Sequence, residues 1–192
     1  MDKSAQRIGV LQAVSAYCIW GFIPLFFKLF DGVSAWEVVA HRVIWCAPLL
    51  IAILLFRGQI GNMIAAFRNQ KAIRMLLISS VLIAVNWLVY VYAVNSDHVV
   101  AASLGYFMNP LINVLLGYLF LSERLTRLQL AAVMLAVVAV VILAMGALDT
   151  LWMSISVALS FSLYGLVRKV APVESFPGLA VETILLMPFA AG

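Results

Sequence analysis

Apolar residues in this chain run in long, nearly unbroken blocks, and the short stretches between them hold most of the charge. An α-helix rises 1.5 Å per residue, so about 20 apolar residues span the hydrocarbon core of a bilayer. Six stretches qualify, at roughly residues 8–30, 36–56, 75–94, 99–121, 128–146 and 150–167. The first follows Lys3 and Arg7, as a signal peptide would. Its apolar run is longer than the roughly 7–15 residues of a signal-peptide core, and five more spans follow, so it reads as a retained helix.

Two segments depart from this simple pattern. In the connector from Arg57 to Arg74, Ile60, Met63, Ile64 and Phe67 recur at helical spacing among basic residues. Either a short helix on the membrane surface or a plain loop satisfies that pattern. Residues 178–192 read as the start of a further span, with Glu182 inside it and Pro188 near its end. A helix ending in hydrocarbon strands its last carbonyls. The expectation is therefore a fragment, or a truncated form, of a longer protein.

Composition turns the pattern into a class. Hydrophobic residues make up 66% and charged residues 10%, against roughly 45–50% and 25% in soluble domains. A water-soluble fold needs a polar exterior that this chain cannot supply. The expected fold is all-α, a polytopic transmembrane helix bundle. A net charge of +4 does not point to nucleic acid, because the basic residues sit in connectors and form no stripe.

Ten of the 12 Lys and Arg residues fall on one side of an alternating topology: Lys3, Arg7, Arg57, Arg68, Lys71, Arg74, Arg124, Arg127, Arg168 and Lys169. Asp31, Glu37, Asp97, His98 and Asp149 fall on the other. Basic connectors stay in the cytoplasm, which places the amino terminus there. Cys18 and Cys46 lie inside apolar runs and read as small core residues, not a disulfide. No metal-ligand spacing occurs, and no cofactor is expected.

The chain also resembles itself. Ala16-Tyr17-Cys18-Ile19-Trp20-Gly21 and Ser160-Phe161-Ser162-Leu163-Tyr164-Gly165 share one order of small, aromatic and aliphatic residues, and Glu37 and Glu182 follow at nearly equal distances. Five spans separate the starts of the two copies, so the second enters the membrane from the opposite side. That is the mark of an inverted repeat.

Polar residues at membrane depth are the candidates for chemistry. Arg42 lies about 9 Å inside the second span, where a cation is costly unless it faces protein, water or an anion. It either contacts an anionic solute group, snorkels, or pairs with Asp31 or Glu37. His41, one turn after Glu37, reads as that carboxylate's partner. Lys28, near the end of its span, reads as snorkelling. Ser79, Asn86 and Tyr90 share one face of the third span with Trp87 beside them; Tyr106, Asn109, Pro110, Asn113 and Gly117 cluster in the fourth.

Pro110 removes a backbone donor and frees the carbonyl near Tyr106, which allows a bend. The asparagines either orient a solute or join helices. Ser154, Ala158 and Ser162, with Ser156 and Ser160, suit close helix packing; Trp20, Gly21 and Pro24 suggest a bend with close backbone approach. Motifs for metal-dependent proteolysis, serine hydrolysis and phosphate cradling are absent, and no Asp or Glu sits mid-membrane in the six complete spans. An enzyme is not expected. Proton coupling has no carboxylate except Glu182.

The run Gly105-Tyr106-Phe107-Met108-Asn109-Pro110, then Leu116-Gly117-Tyr118-Leu119-Phe120-Leu121-Ser122-Glu123-Arg124-Leu125-Thr126, resembles the EamA family of the drug/metabolite transporter superfamily. The Glu-Arg-Leu-Thr connector leading into a new span carries most of the likeness. Ala131 and Ala132 stand where that family often has glycine. The resemblance implies ten spans in two inverted five-helix repeats in the bacterial inner membrane. Here residues 1–147 would form the first repeat and 148–192 the start of the second.

The expected function is a secondary carrier, exporter or permease, moving a small metabolite or drug-like solute by alternating access. The pocket would draw on Arg42, Asn86, Tyr90, Tyr106, Asn109 and Asn113, with Trp20 and Trp87 as aromatic walls and Pro110 as hinge. The expected partners are the solute, the lipid bilayer and a possible second copy of the chain. The rival expectation is a structural membrane subunit that moves nothing.

Overall fold

The structure is a computed structural model that describes residues 3–30, 32–122, 125–146 and 148–191, with the side chains of residues 3–7, 13 and 17 left out. Expectations resting on Asp31, Glu123, Arg124 and the side chains of Lys3, Arg7 and Tyr17 lie outside the described residues. The described chain is helical: α1 (Lys3–Lys28), α2 (Ala35–Phe56), α3 (Ile60–Arg68), α4 (Gln70–Asn95), α5 (Val99–Leu121), α6 (Arg127–Met145), a 3-10 turn (Leu148–Thr150), α7 (Leu151–Val170) and α8 (Ser175–Ala190).

Six of these segments are long and apolar enough to cross a membrane, and they coincide with the six expected spans. This is an all-α polytopic bundle. Helix starts follow from local sequence. Ser34 and Glu37 form a reciprocal capping box at α2, and Thr126 and Gln129 do the same at α6. Each pair satisfies two orphaned backbone donors.

The third span begins five residues earlier than its apolar run. The Asn69 side chain accepts the backbone N–H groups of Lys71 and Ala72 at 3.0 and 3.1 Å, so α4 starts in the polar connector. The 57–74 connector contains a helix, α3. Met63 and Ala66 turn inward onto Leu76 and Val181, while Ile64 and Phe67 stay exposed. Pro177 opens α8 at a position where a missing N–H breaks no bond.

Helix α4 is the hub, packing against α1, α2, α3, α5, α7 and α8. The main core joins Phe27, Val38, Val91, Val94, Ala101 and Val157 from five helices. The tightest approach is α5 against α7. A Cβ on Gly105 would lie 2.8 Å from the Val157 Cβ and 2.9 Å from the Ser154 carbonyl oxygen. The Ser154 hydroxyl crosses the same seam to the Ala101 carbonyl at 2.7 Å, and Ala158, Ser160 and Ser162 are buried along it. The small residues expected to pack closely do so.

Gly21 does not make the close approach expected of it, because nothing lies within 4 Å of its Cβ position. Phe56, Leu128, Leu29 and Leu135 are more than two-thirds exposed. An apolar exterior of this extent suits lipid, not water.

Candidate functional site

Two polar clusters lie inside the bundle, near opposite ends of α2 and α8. The first is built on Arg42, the eighth residue of α2 and therefore about 10 Å from its start. Its guanidinium carbon lies 4.0 Å from the centre of the Trp87 ring, an arrangement in which the ring face attracts the cation. Among the described residues no carboxylate reaches ion-pair distance of Arg42, and the residue is exposed.

The expected pair with Glu37 does not form. That carboxylate accepts the Ser34 backbone N–H at 3.3 Å to cap the helix, which also leaves His41 exposed without the bond expected to it. Lys28 does not simply snorkel: it pairs with Asp97 in the α4–α5 turn. The hydrogen bond and charge of Lys28 hold the Asp97 carboxyl below its ordinary range.

Behind Trp87 the α4 face is occupied as its spacing predicts, with Ser79, Asn86 and Tyr90 all buried. The Tyr106 hydroxyl donates to Asn86 Oδ1 at 3.1 Å, and Asn86 Nδ2 donates to the Val157 carbonyl at 2.9 Å and Ser160 Oγ at 3.2 Å. Asn86 thus ties α4, α5 and α7 together. The rings of Phe27, Tyr90, Tyr106, Phe161 and Tyr164 follow edge to face or tilted, with centroids 5.3–6.1 Å apart. They make a continuous aromatic row across the bundle.

Arg42, Asn86, Trp87, Tyr90 and Tyr106 therefore gather at one place. Asn109 sits further along α5, buried, and accepts from the Ser162 hydroxyl at 3.4 Å. Asn113 is exposed one turn beyond, and Pro110 lies within a helix that continues to Leu121. Trp20 is half exposed on α1 and is not among the residues of that helix, Ile23 and Phe27, packed on the core.

The second cluster was legible only in part. Glu182 is the eighth residue of α8 and 1% exposed. It accepts a hydrogen bond from the Ser79 hydroxyl of α4 and another from the Tyr164 hydroxyl of α7 at 3.3 Å. Arg168 Nε is 3.7 Å away, its side chain 12% exposed. Arg168 also donates to the carbonyls of Glu174 and Ser175, each at 3.2 Å.

Arg168 is thus no connector charge but the counter-ion of a buried acid. It lies across Gly178, where a Cβ would come 2.0 Å from Nη1 and push the guanidinium from its place. The signal was available, since a carboxylate in an apolar run requires a partner. The helix starts give the expected repeat a second alignment. Counted from the helix starts, the residue matching Glu182 is Arg42, and Glu37 matches Pro177.

A membrane-spanning bundle with polar side chains converging between its helices is the general form of a polytopic carrier or channel. The chain belongs to the EamA-like transporter family, whose model matches residues 7–145. It is 45% identical over its whole length to Protein RarD of Salmonella typhi, covering 65% of that protein. It is 46% identical over 99% of its length to an uncharacterized transporter of Pseudomonas aeruginosa, covering 64%. A chloramphenicol-sensitive protein RarD from the same organism is 30% identical over 95% of the chain. The chain thus spans just under two thirds of the relatives it matches, and no solved structure matches it.

Proposed function

We propose that this chain is part of a secondary carrier that moves a small solute bearing an anionic group across the bacterial inner membrane. The observation that carries the reading is Arg42, a cation about 10 Å inside a spanning helix, backed by Trp87 and unpaired with any described carboxylate. A cation at that depth is costly unless an anion or water completes it. Its guanidinium face is taken by the indole, which leaves edge donors for a carboxylate or phosphate.

Tyr90, Tyr106 and Trp87 offer apolar surface to the rest of such a solute. Asn109 and Asn113 extend the polar lining along α5, and Pro110 supplies a bend. The names of the transporter relatives support carriage over catalysis. Alternating access between two inverted repeats, the first over 1–147 and the second from 148, is the mechanism this proposal adopts. The amino terminus is cytoplasmic in it. Basic side chains gather where α2, α3 and α4 join and where α7 meets α8, an end tied by the Gln59–Glu174 bond at 3.0 Å.

The test compares solute release from cells making the full-length protein and its Arg42→Ala and Asn109→Ala forms, with membrane insertion verified for each. At least one small anion is expected to accumulate outside wild-type cells, and its flux to fall tenfold or more in Arg42→Ala. Normal flux in both variants overturns the site.

A further inference from the structure

Glu182 sits among groups that satisfy it in two protonation states. Ser79 has one hydroxyl hydrogen and two acceptors within reach: Glu182 Oε1, and the Leu76 carbonyl at 3.1 Å. With Glu182 ionised, Ser79 donates to the carboxylate. With Glu182 neutral, Ser79 turns its hydrogen to Leu76 and its oxygen accepts from the acid, since a hydroxyl both donates and accepts.

Arg168 is prepared for the same change. Its bonds to the Glu174 and Ser175 carbonyls hold the guanidinium in place whether or not the carboxylate is charged. Nη1, buried over Gly178, has no protein partner. Neither state strands the acid, and the cation keeps its place in both.

The surroundings favour a proton over a larger cation. From α7, Tyr164 and Arg168 face the carboxylate, and from α4, Ser79. The apolar side chains clustered with α8 include Leu50, Leu54 and Cys46 of α2, Ile60, Met63 and Ala66 of α3, and Ile73 and Leu76 of α4. Only the Cys46 thiol among these can ionise. At the start of α8, Arg57 lies over Phe176 and Gln59 bonds Glu174. Donors already occupy both carboxylate oxygens, which leaves no coordination sphere for a metal ion. A proton needs none.

We propose that Glu182 is a proton-exchange site, alternating between an ion pair with Arg168 and a neutral acid hydrogen-bonded to Ser79. In this conformation the proton exchanges with water at the α7–α8 end, past the partly exposed Arg168 and Tyr164. Its use as the coupling ion for solute movement rests on the carrier reading above. The site itself does not.

The test is infrared difference spectroscopy of the full-length protein in phosphatidylethanolamine–phosphatidylglycerol vesicles, stepped from alkaline to acid pH with the proton as the only ligand varied. The wild type is expected to gain a neutral-carboxyl stretch that Glu182→Gln lacks. In Ser79→Ala the stretch moves to higher frequency, because the acid has lost its acceptor. In Arg168→Gln the stretch is present at a pH where the wild type shows none, a change of tenfold or more in proton affinity. Glu182→Asp, checked for native elution, keeps the stretch and separates misfolding from loss of the group.

No stretch in the wild type, equal stretches in wild type and Glu182→Gln, or a stretch indifferent to both Ser79→Ala and Arg168→Gln each overturns the assignment. No solute enters this measurement. Its failure is therefore distinct from failure of the carrier reading, which solute release in Arg42→Ala tests alone.

Discussion

Arg42 and Glu182 hold matching positions in their helices, carry opposite charges and are treated in opposite ways by the fold. Glu182 is closed in, with two hydroxyls and a guanidinium on one carboxylate. Arg42 is open, with an aromatic ring on one side and no carboxylate among the described residues on the other. A buried charge with all its partners is an internal component. A charge at similar depth without them is a place kept for something else. That difference is why the solute is proposed at Arg42 and the proton at Glu182.

The comparison breaks most readily at its counter-ion. Arg168→Ala leaves a buried carboxylate unpaired and is expected to cost about 3 kcal/mol, read as a lower unfolding midpoint in detergent. The loss should shrink at acid pH, where the carboxyl is neutral. Arg42→Ala gives up a single ring contact and should cost less than about 1 kcal/mol while solute flux collapses. Equal stability losses in the two variants would falsify the contrast.

The next effect concerns the seam that supports both sites. Gly105→Ala drives a methyl group into Val157 and the Ser154 carbonyl, and overpacking of this kind costs about 1–3 kcal/mol. Gly21→Ala, in open space on α1, is expected to be neutral or to stabilise by about 0.5–1 kcal/mol. Unfolding of the two variants side by side checks this.

Tyr106→Phe removes one hydrogen bond from Asn86 and should cost about 1 kcal/mol, with the α4–α5–α7 junction otherwise intact. The smallest effect is at the surface. Lys28 holds the Asp97 carboxyl low, so their pairing contributes above the ordinary carboxylate value and is lost as pH falls through the lowered one, below about pH 4. Added salt should erase the contribution, and Asp97→Asn should show no such acid-dependent step.

What the sequence disclosed follows the range of the forces involved. Spans were legible because bilayer thickness sets a length that apolar runs must match, and the shared face of Ser79, Asn86 and Tyr90 followed from helical periodicity. Connections between helices were not legible. Nothing local tells that Trp87 backs Arg42, or that Arg168 turns in from the last turn of α7 to meet Glu182. Aligning the repeats by residue spacing matched Glu37 with Glu182, because two acids look alike in a string. Counting from the helix starts instead sets Arg42 at the position that Glu182 holds. Gly21 misled for a related reason: small residues mark packing faces in general, and α1 packs through Phe27, on Tyr90 of α4.

Helix α4 touches six other helices, and it carries Ser79 and Trp87 eight residues apart. On a straight helix that is about 12 Å of stiff rod between the residue that touches Glu182 and the one that touches Arg42. Such a rod behaves as a beam with one load near each end of its middle third. A change in the tilt of α4 would therefore bear on both the Ser79–Glu182 hydrogen bond and the Trp87–Arg42 contact.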